Sequence, residues 1–85
     1  MKVLVPSALR SYTESGEAEA RGATLADVLA DLDRQYAGIR FRMVDEQDQV
    51  RTHMRLFVNG AGVADLATPL RVGDEVHVFQ ALSGG

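Results

Sequence analysis

One amphipathic helix governs what this chain can become. Leu25, Val28, Leu29, Leu32 and Tyr36 recur at helical spacing, so a single apolar stripe runs along one helix face. Thr24 stands at the N-cap position, and Asp27 at the third helical position makes a variant of the capping box. Gly38 follows the last turn, where a left-handed C-terminal cap belongs. Asp27, Asp31, Asp33 and Arg34 lie largely off the stripe and read as a solvated face. The stripe has to be buried, and 85 residues leave room for one core. No second long helix is present to cover it. The cover must come from short strands.

Those strands are legible on both sides of the helix. Lys2-Val3-Leu4-Val5 is short and apolar and is stopped by Pro6, which removes a ladder donor. Ser11 to Gly16 is turn chemistry, and Glu17 to Ala20 is the expected return strand of a hairpin. After the helix, a helical turn around Arg40 to Val44 and a polar loop from Asp45 to Gln49 are expected. Met54 to Val58 is the next strand, closed by the hairpin signal Asn59-Gly60. Val63 to Leu66 reads as a brief return strand, Thr68-Pro69-Leu70 and Gly73-Asp74 as turns, and Glu75 to Phe79 as the last strand. The order is β-β-α-β-β-β. The helix stripe must lie on one sheet face, and the last strand can pair with the first, parallel and central. The expectation is an α+β fold of the β-grasp (ubiquitin-like) type, a mixed sheet of about five strands on one main helix. Residues 1–80 form the expected single domain and residues 81–85 a flexible tail.

Composition narrows the function. Nine basic against twelve acidic residues give a net charge of −3, and the arginines form no run, which argues against a nucleic-acid-binding module. The absence of cysteine removes disulfides, thiolate zinc sites, a thiol nucleophile and a persulfide carried on a side chain. With only His53 and His77, both read as surface residues, no metal site is expected. Ser7, Ser11, Ser15 and Ser83 sit in no nucleophile motif, so no catalytic residue is assigned and the chain is expected not to be an enzyme. No apolar run is long enough to span a membrane and no signal-peptide pattern opens the chain, which reads as cytoplasmic.

The informative features are the last residues and one sheet face. At an average glycine usage of about 7%, a chance Gly-Gly ending occurs in roughly one chain in 200. Two residues without Cβ make a thin rod that can thread a narrow channel. Its tip, Gly85, carries an α-carboxylate, ionised at neutral pH. Such a carboxylate can attack the α-phosphate of ATP when another protein supplies cations and orientation. Leu82, Ser83 and Gly84 would thread the channel behind it. Alternation along the strands sends Val3, Val5, Leu56, Val58, Val76 and Val78 toward the helix, and Leu4, Phe57, His77 and Phe79 away from it. An exposed apolar patch of this kind marks a partner interface, here centred on Phe57 and Phe79 with Leu4 and His77 at its edge.

The strand and helix order, with Thr24 to Gly38, Val58-Asn59-Gly60, Thr68 to Val76 and Leu82-Ser83-Gly84-Gly85, resembles the ubiquitin-like sulfur carriers of the MoaD, ThiS and CysO type over essentially the whole chain. Chain length and the segment Gly38 to Asp45 look more like the CysO and MoaD branches. Gln80 and Leu82 stand where many members have proline and valine. The resemblance implies a carrier that binds no cofactor itself. An E1-like partner would use ATP to adenylate Gly85, and a sulfur donor would convert it to a thiocarboxylate. A downstream biosynthetic enzyme would then take the sulfur into cysteine, molybdopterin, thiamin or a secondary metabolite. It implies neither nucleic acid nor membrane as partner. The alternative is a ubiquitin-like modifier joined to target lysines through Gly85.

Overall fold

The computed structural model describes residues 1–81. Five strands form one sheet: β1 (Lys2–Leu4), β2 (Glu17–Glu19), β3 (Met54–Val58), β4 (Ala61–Val63) and β5 (Glu75–Gln80), in the order β2-β1-β5-β3-β4. β5 is central. It pairs parallel with β1, Val3 opposite Val76, and antiparallel with β3, Leu56 opposite Val78. The mixed sheet and the parallel first and last strands match the expected β-grasp arrangement.

The main helix, α2 (Leu25–Gln35), starts where its cap predicts. The Thr24 hydroxyl oxygen accepts a hydrogen bond from the Asp27 N–H at 3.2 Å. Leu25, Val28, Leu29 and Leu32 are at most 1% exposed, and Tyr36 is half-buried beside them. They pack in one cluster with Val3, Leu56, Val76 and Val78, the inward residues of three adjacent strands. Truncating a leucine in such a core typically costs ~2–5 kcal/mol. Val5 and Met54 are buried with them, while Val58, expected inside, is only half-buried at the sheet's end.

Several local expectations need correction. The segment read as a turn is largely helical: a 3-10 turn at Ser7–Leu9 runs into a short helix, α1 (Arg10–Thr13). Leu9 and Thr13 are buried and Tyr12 is half-buried, a helical spacing short enough to pass for a loop. The Thr13 hydroxyl donates to the Ser15 carbonyl at 2.6 Å, so its burial leaves no group unpaired. The strand expected at Val63 to Leu66 is Ala61–Val63. Asn59 (φ 50°) and Gly60 (φ 86°) make a two-residue turn, which brings the return strand directly after Gly60. Leu66 instead lies buried over the start of α2, where its carbonyl accepts from Ala26 N–H and the Thr68 carbonyl from Leu25 N–H. These bonds satisfy donors that a helix N-terminus leaves free.

The acidic face of α2 is not simply solvated. One Asp31 oxygen accepts from Arg21 N–H at 2.8 Å and the other from Arg34 at 2.7 Å. Asp33 Oδ1 accepts from Gly38 N–H and Arg40 N–H, capping the next helix, α3 (Ile39–Met43). Gly38 does adopt the left-handed conformation (φ 96°), but at the junction of α2 and α3, since α2 already ends at Gln35. Ile39 and Met43, four apart, bury the inner side of α3.

Two close approaches hold the frame. A Cβ at Gly22 would lie 2.6 Å from Val28 N and from Asp27 Cβ, so the chain entering α2 has no room for a side chain. Gly22→Ala is expected to destabilise the protein by ~1–3 kcal/mol, read as a lowered urea midpoint. Asp74 ties the turn before β5 to the β3–β4 hairpin. Its carboxylate accepts from Arg71 N–H at 2.8 Å and from the Asn59 side chain at 2.9 Å. The Arg71 backbone bond, then the Asn59 bond, hold the Asp74 carboxyl below the usual carboxylate range. A depressed pKa stabilises the fold above the unfolded value of ~3.9 and ceases to do so as pH falls through the folded value. Asp74→Asn should therefore lower the melting temperature at neutral pH and weaken its fall between about pH 5 and 3. An unchanged acid profile would mean Asp74 is not among the groups that titrate on acid unfolding.

Candidate functional site

The outward face of the sheet is organised by register. Leu4 lies opposite Glu17 on β2 and His77 on β5; His77 lies opposite Phe57 on β3, and Phe57 opposite Gly62 on β4. One row of directly facing residues therefore crosses all five strands: Glu17, Leu4, His77, Phe57, Gly62. The next row toward the C-terminal end of β5 pairs Phe79 with Arg55.

The structure brings Leu4, Phe57, His77 and Phe79 together, as strand alternation predicts. Phe57 and Phe79 meet edge to face with ring centroids 5.3 Å apart, and the His77 ring stacks on Phe79 at 3.8 Å. Phe79 is 44% exposed, while the other three are half-buried. The expected centre of the patch needs correcting. His77 is not at the edge; it occupies the middle of the row because β5 is the central strand, with Leu4 and Phe57 on either side. Gly62 matters here too. A Cβ there would sit 3.5 Å from the Phe57 ring, so the glycine leaves a flat surface against which that ring lies.

Around the end of β5 the structure adds residues that strand alternation does not reach. Ala81, expected as the first residue of a tail, is half-buried and its N–H donates to the His53 carbonyl at 2.7 Å. Gln80 borders a depression of about 170 Å³ whose other walls are Leu9, Arg42, Arg51, His53 and Met54. Arg51 is fixed across it: Nε donates to the Phe41 carbonyl at 2.6 Å and the guanidinium lies 4.3 Å from the Phe41 ring centroid. Arg55 was legible as the outward residue between Leu56 and Met54. Arg42, Arg51 and His53 come here only through the fold of α3 and the following loop. That loop is closed by the Asp45 carboxylate, which accepts from Gln47 and Gln49 N–H and is held below the usual carboxylate range chiefly by those two bonds. Leu82, Ser83, Gly84 and Gly85 lie outside the described residues.

A five-stranded mixed sheet grasping one main helix, with an aromatic outward face and a central last strand, defines a ubiquitin-like protein. Residues 3–85 match the ThiS family, and the chain belongs to that family. It is 34% identical to the sulfur carrier protein CysO of Mycobacterium tuberculosis over 89 residues, spanning 98% of this chain and 96% of that protein. It is 39% identical to small archaeal modifier protein 3 of Haloferax volcanii over 66 residues, 74% of this chain and 71% of the modifier. Its structure resembles the CysO chain in the BexX/CysO complex of Amycolatopsis orientalis with a TM-score of 0.90 and 30% identity, covering 99% of this chain and 98% of that one.

Because Phe79 is already partly exposed, its truncation should leave the fold nearly intact. Phe79→Ala is expected to cost less than ~1 kcal/mol of stability, against ~3–5 kcal/mol for a fully buried phenylalanine. A loss in the upper range, measured by denaturant unfolding, would place Phe79 in the core.

Proposed function

We propose that this chain is a sulfur carrier that works through the carboxylate of Gly85. The observation that carries the reading is the family match across residues 3–85, together with a central last strand that delivers the chain end beside the aromatic face. Beyond Ala81 the sequence continues Leu82-Ser83-Gly84-Gly85, a stretch able to reach about 14 Å when extended. That is enough to enter a channel while the sheet face stays docked outside it.

The chemistry follows from what the chain has and lacks. With no cysteine, the C-terminal carboxylate is the group available to carry sulfur as a thiol derivative. In the proposed sequence the Gly85 carboxylate attacks the α-phosphorus of ATP held by an E1-like enzyme, and pyrophosphate leaves. A sulfide equivalent from a donor then attacks the acyl carbon and displaces AMP, leaving a thiocarboxylate. A downstream biosynthetic enzyme accepts the sulfur. The carrier is a protein co-substrate in this scheme, and the cations and the nucleotide site belong to its partners. Leu4, Phe57, His77 and Phe79 are the proposed docking face, Leu82 to Gly84 the threaded segment. The BexX/CysO complex of Amycolatopsis orientalis supports the idea that a carrier of this shape docks on a partner protein. Among the described residues no helix is long and apolar enough to cross a membrane, and we place the reaction in the cytoplasm, where ATP is supplied.

A second reading rests on the likeness to a small archaeal modifier protein: the activated Gly85 would pass to target lysines. Both readings use the same adenylate. Lys2 is this chain's single lysine, so chains of the protein itself would have to branch there or at the N-terminal amine.

With an E1-like enzyme, ATP and a sulfide source, intact-mass analysis should detect an adenylate and then the exchange of one oxygen for sulfur. Deleting Gly84-Gly85 should abolish both while the melting temperature stays unchanged; thiolation of the truncated chain would sink the proposal. Phe79→Ala should weaken binding of the adenylating enzyme by more than ~1 kcal/mol, the usual cost of losing an aromatic anchor.

A further inference from the structure

The outward face is graded in charge along the strand direction. At the end of the sheet remote from the tail, Lys2 is flanked in register by Glu19 and Glu75, and Glu17 lies 3.8 Å from its ammonium. The middle row is the apolar one, Leu4, His77 and Phe57. At the end where β5 stops stand Arg55, opposite Phe79, and then the depression rimmed by Arg42, Arg51 and His53. An acidic end, an apolar centre and a basic end thus follow one another on a chain whose net charge is −3.

The basic end is not neutralised from within. Among the described residues Arg42 and Arg55 enter no ion pair, and both are exposed. Arg55 Nη1 donates to the carbonyls of Thr52 and Met54, which orient the guanidinium without cancelling its charge. Arg40 differs: Asp48 pairs with it. Asp45 faces Arg51 but spends its carboxylate on the Gln47 and Gln49 N–H groups. The depression itself has an apolar floor, Leu9 and Met54, beneath that cationic rim. At about 170 Å³ it is well below the ~300–1,000 Å³ of small-molecule sites, and it suits a protein side chain instead.

We propose that the rim formed by Arg42, Arg51, His53 and Arg55 docks against an acidic protein surface surrounding the channel that receives the tail, and that this contact sets the orientation of docking. The inference rests on the carrier reading above. A protein of net negative charge approaching an acidic partner is repelled in most orientations. Only the basic end is attracted, and that end carries the chain terminus. Encounter is therefore biased tail-first, and the acidic end of the sheet disfavours the reversed alignment across the same apolar centre. Steering of this kind acts on association rate and fades with salt over a Debye length of about 8 Å at physiological ionic strength.

The test uses the full chain, an E1-like adenylating enzyme from the same source, and ATP. Association is followed by stopped-flow between about 20 and 300 mM salt, a range over which screening changes severalfold. Arg42→Ala/Arg55→Ala is expected to slow association about tenfold at low salt and to flatten its salt dependence, with the dissociation rate changed less. The adenylation rate at saturating carrier should hold, because neither side chain reaches the carboxylate. Arg34→Ala, on the exposed side of α2 and paired with Asp31, should behave as the unaltered protein. Unchanged association and salt dependence in the double variant, with Gly85 still adenylated, would overturn the rim and leave the carrier reading standing. A chain that is never adenylated would remove both. A double variant that binds normally but reacts slowly would also overturn the rim, since its effect would then lie after docking.

Discussion

Parallel pairing of the first strand with the last is the constraint on which the rest depends. Lys2, Val3 and Leu4 face Glu75, Val76 and His77 in register, which puts the end of the chain into the middle of the sheet. A parallel pair needs a crossover, and α2 lies in that crossover, so its apolar stripe is delivered to the face it covers. The same pairing determines that whatever follows β5 emerges between β1 and β3 rather than at an edge. A terminal segment leaving an edge strand would have no flanking surface on one side. Here it leaves next to an aromatic face on one side of the sheet and a cationic depression near its end.

How much of this could be read from sequence depended on the range of the interaction. The α2 stripe, its Thr24 cap, the Met54–Val58 strand and the Asn59-Gly60 turn are local devices, and each stands where its residues put it. The outward patch was legible because strand alternation is also local. What failed had competing local meanings. Ser7 to Thr13 carries serine and proline signals that suit a turn, yet Leu9, Tyr12 and Thr13 gain burial only if the segment coils. The return strand was displaced because the apolar residues Val63 and Leu66 suggested a strand, whereas the turn geometry had already fixed its start at Ala61. The placing of His77 as peripheral failed for a different reason. Whether a strand is central is a property of the whole sheet, and no residue on β5 declares it. The cationic rim is non-local altogether: α3, its loop, β3 and β5 each contribute, and only Arg55 has a strand position that sequence can assign.

The two roles of the sheet place opposite demands on it. The inner face must be as apolar as possible, and Val3, Val76 and Val78 are at most 2% exposed. The outer face leaves Phe57 and Phe79 partly in water, which gives up burial that folding could use. A monomer exposing aromatic strands is prone to edge-to-edge association. In this sheet the aromatic residues sit on β3 and β5, both already paired on two sides. The edges are β2 and β4, three residues each; β2 places Glu17 and Glu19 on the outward side, and β4 offers Gly62 at its centre. Short, charged or side-chain-poor edges make weak templates for strand addition. The accessible apolar surface can therefore be satisfied by a complementary face laid over the sheet, and hardly by another strand added beside it. That restriction selects for docking with a defined orientation, the geometry a protein needs if its last few residues are to enter a partner's channel.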